Sequence, residues 1–421
     1  MYSIELECHE LEEFLDSAGC TMRVLSRAQE PRARHIRRWV VSGVAMLVPL
    51  ACGTSSPTRP SPELIAQGQQ IFRFDTYGDE KFWTDTLHMN TVIQTAVDPT
   101  TALSVGLKVD ADALPAPVLQ AIEAGQVDLH SPATTVTLLK LNAVVGLQAT
   151  VDSNNNITKV GITCALCHST VDNRVAPGIG SRLDGWPNRD LNPGAIIALS
   201  PALTAAQKQV YNSWGPGKYD ARFNFDGING PAVIPPAYGL AGINSVTFTG
   251  DGQQLEYWNR YVAVTQMHGQ GSFSEPRLGI NVVQSPDLVA SKLPALQAYQ
   301  LSIAAPAPPA GSFDAAAATR GKLIFQGPGN CTQCHSGSSF TDANLRLHKQ
   351  SEIPTDPQYA ERSATKLWRT SPLRGVWQHP PYFHDGSAAT LLDVVNRYDT
   401  AKGLNLSDKQ KADLVQYLLS L

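Results

Sequence analysis

Two short runs of residues have types and spacing that do chemistry. They read Cys164-Ala-Leu-Cys167-His168 and Cys331-Thr-Gln-Cys334-His335, both C-x-x-C-H. Two thiols at this spacing can add to the two vinyl groups on one porphyrin edge. The adjacent histidine can then turn under the ring to ligate iron, so the pattern predicts covalent c-type haem, twice. A Cys₄ zinc site usually gathers its pairs within about 15–20 residues. Here 164 positions separate Cys167 from Cys331, and zinc would leave both histidines unexplained. A thioredoxin-like pair needs a βαβ setting, which neither run has. Of seven cysteines, Cys8, Cys20 and Cys52 fall in or at the end of a leader, and the other four all belong to these pairs.

Helices must hold each motif. Asp314–Phe325 is alanine-rich with Asp314 as a cap, and leads within a few residues to Cys331. Ser407–Leu421 closes the chain, with Ser407 and Gln410 placed for a capping box and Leu414, Leu418 and Leu421 on one face. Helix, haem motif, loops and terminal helix are the parts of a class I cytochrome c domain. Pro62–Phe72 opens the first half in the same way, but about 90 residues then intervene before Cys164. In that stretch Thr135–Leu141 and Asn156–Ile162 read as strands, with a turn at Asp152–Asn156. Ala304–Ser312, rich in Pro and Ala, reads as a linker. The expected fold is mainly α: two cytochrome c-like haem domains with long loops and a small β element in an N-terminal insertion. The expected division is a leader at 1–52, an N-terminal haem domain at 53–303, a linker at 304–312 and a C-terminal haem domain at 313–421. No internal repeat is evident beyond the two motifs.

The 421 residues carry a net charge of −4, with 17% charged and 43% hydrophobic residues. That is enough apolar sequence for two or three domains, and it excludes both a disordered chain and a basic nucleic-acid binder. Arg32, Arg34, Arg37 and Arg38 precede the apolar run Trp39–Ala51, the pattern of an export signal. The run is short for a membrane span. The acidic stretch Met1–Thr21 does not fit such a leader, so the natural start is expected at Met22. Cys52, with a Ser/Pro-rich tether after it, resembles a lipoprotein site, although Pro49 and Leu50 depart from the usual pattern. The expected location is periplasmic or outer-membrane-associated, with Cys52 the candidate lipid anchor.

Near the C-terminus, Arg369-Thr-Ser-Pro-Leu-Arg-Gly-Val-Trp-Gln-His-Pro-Pro-Tyr-Phe-His-Asp-Gly-Ser-Ala-Ala-Thr-Leu391 follows the second motif. Together these resemble the dihaem cytochrome c peroxidase superfamily, which includes bacterial peroxidases, the methylamine dehydrogenase maturation enzyme and the rubber oxygenases. The likeness is strong over 314–421, looser over 161–300 and weak before 160. Bacterial peroxidases ligate the C-terminal haem with a downstream methionine. No methionine follows Cys331, and Tyr398 stands in the corresponding place. The resemblance therefore implies His384 as that haem's sixth ligand, with Tyr398 as the alternative. The peroxidases' Glu-Met element is also missing. Glu256 and Glu275 are the only glutamates between Cys167 and Cys331, and Glu275, before Pro276, is the candidate catalytic acid beside its plainer reading as a surface charge.

Tyr257–Phe273 is similar to the distal region of the rubber oxygenases. This implies Trp258 and Phe273 beside an oxygen-binding haem, where otherwise they would be core aromatics. Met267 or His268 could close the first haem. The resemblance also implies a relay tryptophan between the haems, with Trp186 the candidate and Trp377 its rival. Arg374, Arg182 and Arg189 could pair with haem propionates. Asp184, Asp190, Asn192 and Asp226 raise calcium as a cofactor, without EF-hand spacing. The expected function is an extracytoplasmic dihaem oxidoreductase. Its N-terminal haem, on His168, would take peroxide or dioxygen, and its C-terminal haem, on His335, would pass electrons with a redox partner protein. The alternatives are an electron carrier with both irons six-coordinate, or an enzyme acting on a protein, which Tyr398 at the second haem would favour.

Overall fold

A computed structural model describes residues 60–252 and 254–421. The expected leader, the start at Met22 and the Cys52 anchor lie outside the described residues. The fold is mostly helical, with five two-stranded sheets. Among the described residues no helix is long and apolar enough to cross a membrane.

The helix Pro62–Phe74 starts where Ser61 accepts a bond from the Leu64 amide, with Pro62 at its first turn. It packs on Leu293–Ser302. Gly68 sits at the crossing, where a Cβ would lie 1.9 Å from the Ala295 carbonyl oxygen. One turn on, the fully buried Phe72 meets Tyr299 at 5.5 Å between ring centres. The C-terminal half repeats this arrangement. Ala315–Gln326, capped by Asp314, crosses Asp408–Leu419 at Gly321, where a Cβ would lie 2.0 Å from the Asp413 carbonyl oxygen. Phe325 then meets Tyr417 at 5.2 Å. Gly-x-x-Ile-Phe thus occurs twice, at Gly68–Phe72 and Gly321–Phe325. This corrects the expectation of no repeat beyond the haem motifs. The shared pattern is five residues long, with different residues between its fixed positions.

Helices Met89–Ala96, Pro99–Ser104, Ala116–Glu123 and Pro132–Lys140 follow the first helix. The run Thr135–Leu141, expected as a strand, lies almost wholly in the last of these. Pro132 starts that helix, and Thr135, Val136, Leu138 and Leu139 are buried on it. Burying that face outweighs the weak strand preference of Thr and Val. The strand Ile157–Ile162 pairs instead with Leu147–Val151, antiparallel from Leu147 opposite Ile162. The turn between them is as expected. Asp152 Oδ1 accepts from the amides of Asn154 and Asn156.

Among the described residues the buried apolar side chains gather in five clusters, three of them large. One fills the segment between the first helix and the first motif, one surrounds Phe72, Tyr261 and Phe273, and one surrounds Phe325 and Tyr417. Two π-helical turns, Lys81–Thr86 and Val262–Gln266, face each other near the first motif. They are joined by the Trp83 indole donating to the Met267 carbonyl at 3.2 Å. Such turns are rare and often mark functional sites.

Candidate haem sites

Cys164 follows directly from the hairpin, and Ala165–His168 forms a single helical turn that puts Cys167 and His168 one turn beyond it. His168 Nδ1 lies 3.1 Å from the Pro235 carbonyl, and burial pushes the imidazole down to about 4. A neutral ring must donate from Nδ1 to a carbonyl, which leaves the Nε2 lone pair free for a metal. The second motif repeats the device. His335 Nδ1 lies 3.0 Å from the Phe340 carbonyl, and burial lowers this ring too. All four cysteines are free thiols. Burial raises each of them, Cys164 and Cys167 to about 12 and Cys331 to about 11. Protonated thiols beside a fixed imidazole are the donor set for thioether attachment and proximal ligation.

Orphaned polar atoms fit the same group. Among the described residues the buried Tyr77 hydroxyl has no partner, and its neighbour is the Cys164 thiol. Arg189 donates from Nη2 to the His379 carbonyl at 3.0 Å, but its Nε and Nη1 are buried without partners. Burial lowers Arg189 to about 10. Arg369 has a partnerless buried Nε and is likewise lowered to about 10. A buried guanidinium without a counter-ion is costly, and a haem propionate would satisfy it. Arg189 also lies close to the first motif, because the Asn188 amide donates to the Cys167 carbonyl. Arg182 is instead bound to Asp110 at 2.9 Å. Arg374 is held at its edge by the Ser338 carbonyl and lies over Phe340.

The distal candidates form one aromatic cluster. Trp258 lies 4.8 Å from Tyr261, and Phe273 sits between Tyr257 and Tyr261, 5.3 Å from each. Glu275 is close by but committed. Arg277 clamps both of its carboxylate oxygens and Tyr257 donates to one of them at 2.8 Å. The Arg277 bonds hold its carboxyl down at about 2. An acid so tied is a poor proton donor at neutral pH. Met267 is buried in the core, and the His268 ring stacks on Phe82 at 3.7 Å. Tyr219 faces this region, bonded to Gln266 at 2.8 Å and raised by burial and by the nearby Cys167.

Trp186 and Trp377 touch each other edge to face, 6.0 Å apart. Trp186 follows Gly185, whose amide donates to the His168 carbonyl, and Trp377 donates to the Pro306 carbonyl. The two rivals are therefore one pair. At the second motif, Tyr398 is buried and pushed up to about 12, with the Cys334 and Cys331 thiols contributing after burial. Phe383 stacks on it. His384 points into a separate cluster of Trp368, Tyr359 and Phe248, with Nδ1 at 3.1 Å from the Thr355 hydroxyl.

The four calcium candidates do not converge. Asp184 binds Arg73, Tyr299 and Ser169; Asp190 binds Lys108; Asn192 caps a helix; Asp226 binds Arg362. Among the described residues, Cys334, Asp342 and His348 form the one metal-sized cluster of acids, histidines and thiols, and it shares Cys334 with the second motif. Sequence reasoning missed Tyr77, Phe82, Trp83 and Arg369. The dense run Tyr77-Gly-Asp-Glu-Lys-Phe-Trp83 was the available signal for the first three.

No family model matches the chain. The chain is 28% identical to the methylamine utilization protein MauG of Methylorubrum extorquens, over 25% of this chain and 34% of that protein. It is also 28% identical to the cytochrome-c peroxidase IdrP1 of Denitromonas iodatirespirans, over 25% of this chain and 40% of that protein. The chain therefore spans two fifths or less of each of these relatives. Among solved structures, a MauG-like protein associated with microbial copper homeostasis matches at 19% identity and a TM-score of 0.32, covering 46% of this chain and 74% of that one. A variant of the dihaem peroxidase BthA from Burkholderia thailandensis matches at 14% identity and a TM-score of 0.27, covering 86% of each chain. Those scores are too low to argue from. The two C-x-x-C-H motifs and these partial sequence relatives support a likeness to the dihaem peroxidase and MauG-like proteins over about a quarter of the chain.

Proposed function

We propose that the chain is an exported dihaem oxidoreductase. The site at Cys164, Cys167 and His168 takes a small oxidant, peroxide or dioxygen. The site at Cys331, Cys334 and His335 exchanges electrons with a redox partner protein. The observation that carries this reading is the twofold pairing of free C-x-x-C thiols with a half-buried histidine whose Nδ1 is tied to a backbone carbonyl. When bound, haem supplies the redox-active iron. Arg189 and Arg369, with their partnerless buried nitrogens, would hold its propionates, and the Trp186–Trp377 pair would offer an aromatic path between the two motifs.

Trp258 and Phe273 are the aromatic wall proposed for the reactive side. Glu275 is tied to Arg277, so the reading assigns it to holding this wall rather than to proton transfer. An acid-poor, aromatic surround favours oxygenase-like over peroxidase-like chemistry. His268 is stacked on Phe82 and Met267 packs in the core, which favours an open first iron over the closed electron carrier. At the second motif His384, the ligand expected from the sequence, packs among Trp368, Tyr359 and Phe248, while Tyr398, the alternative, stands beside the Cys331 and Cys334 thiols, and this reading takes Tyr398 as the residue that would also hold the iron. The division into 53–303, 304–312 and 313–421, and export with Cys52 as anchor, belong to the same reading.

The test is optical and EPR spectroscopy of the two-haem protein, oxidised and reduced, with and without carbon monoxide. One haem that is high-spin or binds carbon monoxide is expected. Two low-spin haems that refuse carbon monoxide in both redox states would replace the enzyme with the electron carrier. Tyr398→Phe is expected to abolish the low-spin signal of the second haem, while His384→Ala keeps it.

A further inference from the structure

The segment between the first helix and the first haem motif holds two apolar cavities back to back. The inner one, about 60 Å³, has an apolar wall throughout and ends on Leu166, inside the Cys164–His168 motif. The outer one, about 260 Å³, opens toward the surface. Pro99, Leu103, Val109 and Leu138 line both, so the two are adjacent compartments of one apolar chamber with these four side chains forming the waist between them. Engineered apolar cavities of about 150 Å³ stay dry and bind benzene or xenon. A dry apolar void forgoes the contacts a filled core would make, so an apolar guest is favoured there.

The roof of the outer cavity is unusual. The helix Ala116–Glu123 presents Val118 and Ile122 to the void, yet none of its residues is fully buried. Gly125 follows, at φ 65° and with open space around it. The floor is the opposite. Gly146 packs so closely that a Cβ there would lie 2.2 Å from the Leu166 Cα, which fixes the motif end of the chamber.

We propose that this chamber is a binding site for small neutral apolar molecules, of the size of one ring or a short hydrocarbon, entering beneath the helix Ala116–Glu123. The one charged residue of its wall, Lys108, has its ammonium committed to Asp190, which leaves no free charge there to hold an ion, and Trp258 and Phe273 are not among its lining residues. The proposal does not depend on which oxidant the haems use.

The test is calorimetric titration of the haem-loaded chain with benzene, alongside xenon uptake followed by ¹²⁹Xe NMR. Saturable benzene binding is expected. Ile122→Trp, which fills the outer cavity from a half-buried position, should weaken it by about tenfold or more. Leu103→Phe at the waist should do the same, and provides a second variant if the first disturbs the helix. Absence of saturable binding of either probe overturns the proposal. So does binding of unchanged strength in both folded variants, because the site would then be elsewhere. The haem spectra of the probe-free protein decide the proposed function separately.

Discussion

Replacing Gly321 by alanine tests the duplicated helix crossing directly. The new Cβ would lie 2.0 Å from the Asp413 carbonyl oxygen, 2.6 Å from its carbon and 2.9 Å from the Tyr417 Cβ. Two of these three atoms are backbone, so no side-chain rotation relieves the clash. Ordinary contact begins near 3.4 Å, so the helix Asp408–Leu419 must retreat by about 1.4 Å. A gap of 0.5–1 Å already forfeits roughly a quarter to a half of a contact's dispersion energy. The contacts at stake include Phe325 against Tyr417 and the buried Leu414. Overpacking of this kind costs about 1–3 kcal/mol. Alanine returns up to about 1 kcal/mol through helix propensity. The net expectation is a loss of ~2 kcal/mol, roughly a thirtyfold fall in the folded-to-unfolded ratio. The assay is thermal unfolding of the haem-loaded protein, with the spectra of the two haems followed separately. Gly321→Ala should disturb the second haem first, and Gly68→Ala, with its Cβ 1.9 Å from the Ala295 oxygen, should disturb the first. A Gly321→Ala protein that melts at or above the parent temperature would refute the reasoning.

Glu275→Gln should leave turnover within about twofold, because Arg277 already holds the carboxylate and little general acid catalysis is lost; a thousandfold loss would restore Glu275 as a catalytic acid. The Glu275 carboxyl sits at about 2 when folded against an ordinary 4.5, so its contribution to stability is present above pH 4.5 and lost as pH falls through 2. The difference in urea midpoint between parent and Glu275→Gln should therefore shrink across that window. Trp186→Phe and Trp377→Phe should each slow electron equilibration between the haems in rapid-mixing experiments, and the double variant should add little to either, because the rings act as one pair. Arg189→Gln and Arg369→Gln each remove a buried positive charge, so potentiometric titration should show a midpoint lower by roughly tens of millivolts.

The sequence is legible where chemistry forces residue type. The two C-x-x-C-H runs admit one economical reading. The Asp314 and Ser407 caps predict helix starts that the structure reproduces at Ala315 and Asp408. Legibility fails where tertiary packing outvotes local preference. Thr135–Leu141 looks like a strand, yet it is almost wholly helical because Val136, Leu138 and Leu139 find a core there. It fails again for burial of charge. Nothing in the sequence marks Arg369 as an orphaned guanidinium, since orphaning depends on what surrounds it. The commitment of Glu275 was partly visible, because Arg277 is two residues away, but the third partner Tyr257 comes from another element. The Trp186–Trp377 contact joins residues that no spacing relates.

The doubled helix crossing also sets an order of assembly. In the C-terminal copy the pair is bridged from Arg320 to Asp413, 93 residues apart, and in the N-terminal copy from Gln69 to Tyr299, 230 residues apart. Closing the longer loop costs only about 0.8 kcal/mol more in chain entropy. The larger difference is in time. A chain emerging from its N-terminus exposes Cys164 and Cys167 long before Tyr299 exists to complete their half. The first pair of thiols is thus presented on an open scaffold, available for haem attachment before the closing helix arrives. The second pair waits less long, because Asp413 on its closing helix follows Cys334 by 79 residues, whereas Tyr299 follows Cys167 by 132.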